Sequence, residues 1–221
     1  MKTYLTLSAI ALAAAATLSS GAVMAADPAP AATPEFVVTG NFGITSDYRF
    51  RGISQNNQDA SFQGGLDVAH SSGLYVGTWG SNVSRWTAGS GSLELDLYGG
   101  YKTELAGVGV DVGAISYTYP GSEKNWRAET QEAYLGLTYG PATFKTSYVL
   151  GKNYFASTAS GGDASGTIYY DLTLSQEVAP KLVASVHAGY TDYKEAARAT
   201  TAGKISYSDY NIGLAYDLNG Y

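Results

Sequence analysis

The chain has 221 residues, no cysteine, 27 glycines, 19 tyrosines and a formal charge of −6 at pH 7. No disulfide can support the fold, and the acidic balance argues against nucleic acid as a partner. Glycine and tyrosine at this level suit strongly curved sheets and interfacial aromatic girdles, though soluble barrels use both as well.

The first 25 residues have the layout of a secretory leader. Met1-Lys2 is a short basic start, an apolar stretch runs from Tyr4 to about Leu18, and Val23-Met24-Ala25 is a small-residue cleavage site. Cleavage removes Lys2 and no acid, leaving 12 basic and 19 acidic residues. Residues 26–35, with Pro28, Pro30 and Pro34, cannot form a ladder and read as a disordered periplasmic lead-in.

From Phe36 onward, apolar and polar residues alternate in ten runs, and a period of two defines a strand. The predicted strands are 36–51, 59–70, 74–84, 92–103, 108–119, 129–139, 142–151, 166–176, 182–193 and 206–218. Crossing a hydrocarbon core of about 30 Å takes roughly 9–11 tilted strand residues, and these runs are that long. Connectors alternate between tight (Ser71-Ser72-Gly73, Glu104 to Gly107, Gly140-Pro141, Glu177 to Lys181) and long (52–58, 85–91, 120–128, 152–165, 194–205). Outer-membrane barrels place short turns in the periplasm and long loops outside, so the pattern predicts orientation as well as architecture. The fold class expected is an all-β antiparallel transmembrane barrel filling 36–221.

Two strands show competing apolar faces. In 74–84, Leu74 and Val76 compete with Tyr75, Trp79 and Val83. In 108–119 the apolar parity passes from Val108, Val110 and Val112 to Ile115, Tyr117 and Tyr119, which predicts a bulge near Gly113. At the C-terminus the expected closing alternation is polar, and Asp217-Leu218-Asn219-Gly220 looks like a hairpin turn. This predicts twelve strands in the complete protein, with a final hairpin missing and no ladder between 36–51 and 206–218.

Ser46-Asp47-Tyr48-Arg49-Phe50-Arg51-Gly52-Ile53-Ser54-Gln55, then Gln63-Gly64-Gly65 and Gly73-Leu74-Tyr75-Val76-Gly77-Thr78-Trp79-Gly80-Ser81-Asn82-Val83, resemble the TorF family of porins. The sharp part of the match covers about residues 40–85. The resemblance implies an outer-membrane barrel and brings with it neither catalytic residues nor a known solute.

If the apolar parity faces lipid, Phe42, Ile44, Leu66, Leu95, Leu97, Leu172, Leu174, Ile212 and Leu214 point outward. The lumen then holds Asp47, Asp67, Glu94, Asp96, Asp111, Glu132, Asp171, Asp209 and Asp217 against Arg49, Arg51, Lys102 and Lys145. An excess of fixed carboxylates in a low-dielectric pore concentrates cations. The same charges could instead pair across a narrow, filled lumen, as in small barrels. Asp47, Arg49 and Arg51, alternating near the outer end of one strand, form either a constriction or a self-neutralising network. Tyr48 and Phe50 are expected in the outer aromatic girdle.

His187 has inward parity beside Ser185 and Ser175, but a Ser–His pair without an orienting acid is a weak hydrolase signal, and a polar lumen lining is the simpler reading. No cluster has metal-ligand spacing, and Gly161-Gly162-Asp163 lacks the strand–helix setting of a phosphate cradle. The expected function is a non-enzymatic, cofactor-free outer-membrane channel for small hydrophilic solutes with a preference for cations. Its partners would be outer-membrane lipid and, during insertion, the barrel-assembly machinery. The alternatives are a non-conducting structural or interaction barrel and a barrel-embedded hydrolase.

Overall fold

A computed structural model describes residues 35–123, 126, 128–156, 163–194 and 206–218. The predicted leader, most of the lead-in, much of the connectors 152–165 and 194–205, and residues 219–221 lie outside the described residues.

Ten long strands form one antiparallel sheet, each paired with its neighbour in sequence. They are β1 (Phe36–Thr45), β4 (Ser61–His70), β5 (Leu74–Asn82), β6 (Leu93–Leu105), β7 (Val108–Thr118), β8 (Thr130–Tyr139), β9 (Ala142–Val149), β10 (Ile168–Ala179), β11 (Leu182–Asp192) and β12 (Tyr207–Tyr216). Two-residue strands β2 (Arg49–Phe50) and β3 (Ile53–Ser54) make a separate hairpin, and α1 (Arg85–Ala88) is a single helical turn. The tight turns all fall at one end of the sheet and the long connectors at the other, as an all-next-neighbour antiparallel order requires.

Side chains alternate across the sheet with a clear division of chemistry. All nine residues expected to face outward are exposed, from Leu95 at 42% to Ile212 at 80%. On the opposite face Ser61, Gln63, Ser81, Glu94, Asp96, Glu132, Ser147 and Thr191 are buried. Residues far apart in the sheet meet on this inner face. Arg51 reaches Glu132 of β8, and Tyr48 reaches Glu94 of β6. The sheet therefore curls like a barrel around a polar interior.

The curl is not a closed ladder. Among the described residues β1 pairs with β4 alone and β12 with β11 alone. At the loop end the β2–β3 hairpin spans this opening: the Tyr207 hydroxyl of β12 donates to the Arg51 carbonyl at 3.1 Å. The hairpin turns on Arg51 and Gly52, both at positive φ (47° and 78°). A Cβ on Gly52 would lie 2.7 Å from the Asp209 Cβ, so glycine is needed for both conformation and space.

Three expectations are corrected. The first strand ends at Thr45 instead of running to residue 51, because its partner β4 begins at Ser61, opposite Thr45, and residues 49–54 pair among themselves in a separate hairpin. There is no bulge near Gly113, since the β6–β7 register runs unbroken from Leu95↔Thr118 to Leu105↔Val108. The apolar parity switches because both faces of that strand are used: Val112 points out, and Tyr117 enters an interior aromatic core. Strand β5 is two-faced for the same reason, with Leu74 and Val76 outside and Trp79 packed against the core. Finally, Tyr48 and Phe50 are not girdle residues. Tyr48 is 3% exposed within that core, and Phe50 packs on it.

Candidate functional site: the barrel interior

The interior differs from one end to the other. At the loop end, Tyr48, Val83, Ala88, Tyr117, Tyr119 and Ala128 form a buried cluster against which Phe50, Trp126 and Phe155 pack. A second cluster of Val149, Tyr154, Ala164 and Tyr193 adjoins it through Phe155. The β2–β3 hairpin packs into this mass, and the arginine at its tip meets the buried Glu132 carboxylate. The Arg51 side chain is 6% exposed and makes two 2.7 Å hydrogen bonds to the Glu132 carboxylate, while also donating to the Tyr154 hydroxyl at 2.9 Å. Its guanidinium lies 4.7 Å from the Phe50 ring centroid and 4.2 Å from that of Tyr169. A planar fork meeting a carboxylate in this way is the strongest ion-pair geometry available to a side chain.

The other sequence-predicted charges fall into small sets. Asp47 pairs with Arg49 at 2.7 Å and accepts from Ser54 at 2.6 Å, so Asp47 and Arg49 neutralise each other while Arg51 turns inward alone. Glu94 accepts from the Tyr48 hydroxyl at 2.9 Å. Asp96, two residues along, is 5% exposed, and its Oδ1 has no hydrogen-bond partner among the described residues. Asp67 accepts from Tyr98 at 2.7 Å, and Asp111 from Tyr75 at 2.6 Å. Tyr75 also bonds to Tyr134. Lys102 and Lys145 sit over the rings of Tyr75 and Tyr134, at 4.7 and 4.0 Å. Asp217 lies beyond the end of β12.

His187 stands between two acids. Its Nδ1 is 3.2 Å from Asp171 and its Nε2 is 2.9 Å from Asp209, with Tyr169 and Thr173 completing the set. Ser185 faces Ser175 across the β10–β11 ladder instead. Both ring nitrogens are engaged by carboxylates, so neither is left to activate a serine. Among the described residues no group of three or more acidic or histidine side chains could hold a metal ion. Asp163 caps its own loop: Ser165 holds its carboxyl below the usual range, with the Ser165 amide donating at 2.9 Å. Beyond the end of β7, burial and then the Glu94 and Asp96 carboxylates push the Tyr119 phenol well up.

The interior tyrosines were missed as a class by sequence reasoning. Tyr75, Tyr98 and Tyr134 each stand directly across a ladder from a glycine, Gly100, Gly77 and Gly113 respectively. Cβ atoms on Gly77 or Gly113 would meet the facing ring. The absent side chain makes room for the ring, and the ring covers the bare backbone. Their parity was available as a signal, since Tyr134 shares a face with Glu132, and Tyr169 with Asp171.

The bacterial family Gcw_chp, described as a bacterial protein of unknown function, matches residues 29–220. The chain belongs to this family. No curated protein matches it.

Proposed function

We propose that the protein is an outer-membrane barrel, exported through its leader, that passes small hydrophilic solutes with a preference for cations and is held shut at its loop end by the β2–β3 hairpin. One observation carries this reading: a single sheet has an apolar outer face and an inner face lined with carboxylates. An outward belt that includes Phe42, Leu66, Leu97, Leu172 and Ile212 has no protein partner among the described residues, and lipid is the solvent that suits it. Inside, Asp67 and Asp111 supply negative field toward the turn end, where Lys102 is exposed to solvent, and Asp171 faces exposed Lys145 across the β9–β10 ladder further in. Lipid and the barrel-assembly machinery are the partners this reading requires.

The packed loop end favours a second reading, a barrel that does not conduct. Planar-bilayer recordings separate the two. The channel reading expects small, cation-selective conductance from the intact protein and larger conductance from the Arg51→Ala/Glu132→Ala double variant. Selectivity should fade as salt rises, because the Debye length falls from about 10 Å at 0.1 M to about 3 Å at 1 M. Silence from both verified, inserted proteins supports the non-conducting barrel, and an anion-selective reversal potential refutes the cation preference.

A further inference from the structure

We propose that the loop-end cavity above Arg51 binds a neutral ligand of one or two fused aromatic rings. The cavity encloses about 320 Å³, and eight of its thirteen lining residues are aromatic, among them Phe50, Trp86, Trp126, Tyr154, Phe155 and Tyr207. Small-molecule sites are typically concave, apolar and aromatic, with few polar groups, and begin at about 300 Å³. At about 30 Å³ per displaced water, this space corresponds to about ten waters, enough for one or two rings.

Most of the polar groups around it are already engaged, and this sets the ligand's chemistry. Arg51, the one charged residue lining it among the described residues, is neutralised by Glu132, and its carbonyl takes the Tyr207 hydroxyl. The Thr87 hydroxyl donates to the Gln55 carbonyl at 2.8 Å, and the Trp126 indole N–H donates to the Thr87 carbonyl at 2.7 Å. The Gln55 amide donates to the Ile53 carbonyl at 2.9 Å. A cation meets a guanidinium, and a sugar leaves most of its hydroxyls unpaired. Ring faces and edges remain, and they favour stacked or edge-on aromatic partners.

The backbone supports the same assignment. Phe155 and Ala156 are successive non-glycine residues at positive φ, 43° and 56°. Such conformations are costly and concentrate where a structure presents a side chain to a ligand. Here the turn sets the Phe155 ring 5.0 Å from Phe50, 4.9 Å from Tyr117 and 4.8 Å from Tyr154.

The test is calorimetric titration of the full mature chain in lipid nanodiscs with 1-naphthol, with the heat of empty nanodiscs subtracted. D-glucose and benzoate serve as comparators. One saturable 1-naphthol site is expected, weakened about tenfold by Phe155→Ala, as for the loss of a central aromatic anchor. The outward-facing Phe144→Ala should bind as the intact protein does. Trp86 is 67% exposed on the rim, so Trp86→Ala retains the fold and should weaken binding measurably even if the Phe155 variant does not fold. Absence of a saturable site, unchanged affinity in the Trp86 variant, or tighter binding of glucose or benzoate overturns the proposal. The two tryptophans in the cavity give an independent readout, because Trp79 is the only other one in the chain. Silence in the bilayer recordings leaves this result standing, so the two proposals fail separately.

Discussion

The two ends of the interior are built from the same strands and obey different physics. Along the inner face of β8, Thr130, Glu132, Tyr134 and Gly136 are buried and Thr138 is exposed. Along β6, Glu94, Asp96 and Tyr98 are buried, while Lys102 is exposed. The loop end is a packed core beside one aromatic-lined cavity, in which Arg51 matches Glu132 and Tyr48 matches Glu94 at hydrogen-bond distance, while Asp96 Oδ1 has no hydrogen-bond partner among the described residues. Towards the turn end, water can reach the inner wall, and polar residues there need no protein partner. A single alternating pattern produces both, because the third dimension is supplied by what the loops insert.

This contrast predicts a gradient of mutational cost. The largest effect should come from Glu132→Ala, which strands the buried Arg51 guanidinium and should cost about 3–5 kcal/mol in urea unfolding from lipid vesicles. The apolar double replacement Arg51→Met/Glu132→Leu should recover much of that loss. A cost near zero for the single variant would mean the loop end is not packed.

The outer face gives the next largest effect. Leu97→Arg, in mid-sheet and pointing away from the interior, should cost about 2–4 kcal/mol in a bilayer. Equal stability of this variant and the parent in lipid would break the assignment of that face to hydrocarbon. Between the two ends, Gly113→Ala forces a methyl against the Tyr134 ring and the Gly99 carbonyl, for about 1–3 kcal/mol by the same unfolding assay. The smallest effect belongs to the turn end, where Thr143 shares an exposed 3.2 Å contact with Thr138. Thr143→Ala should change stability by less than about 0.5 kcal/mol, and a larger change would sharpen the boundary between packed and wet regions.

Strand positions and facing were legible in the sequence because a period of two is a local signal. The predicted 59–70, 108–119 and 142–151 became Ser61–His70, Val108–Thr118 and Ala142–Val149. What escaped was long-range. Nothing local tells Arg51 that Glu132 lies opposite, 81 residues away. The parity conflict in β7 was visible, yet a bulge and a two-sided strand give the same pattern. Inward Ile115 and Tyr117 are explained only once Phe50 and Phe155 are known to fill the interior beside them. Gly52 was legible as the start of a connector, but the alternation of residues 46–51 continued that of the first strand and hid its end at Thr45 and the separate Arg49–Ser54 hairpin. The lumen charges were named from parity alone. Their division into an Arg51–Glu132 pair, an Asp171–His187–Asp209 cluster and tyrosine-bound acids is a property of the curled sheet.

Site-specific labelling tests the asymmetry most directly, since the chain has no cysteine of its own. Ser147, inward on β9 near the loop end, is 4% exposed, while Thr138 faces inward on the paired strand β8 and is open to water. Each is replaced singly by cysteine, and the folded protein in lipid is treated with a water-soluble maleimide. The account predicts that the Thr138→Cys protein reacts readily and the Ser147→Cys protein at least about tenfold more slowly, since its reaction waits for local opening. Both should react at equal rates after unfolding. Equal, rapid labelling of the two folded proteins would mean an interior open from end to end and would contradict the packed loop end.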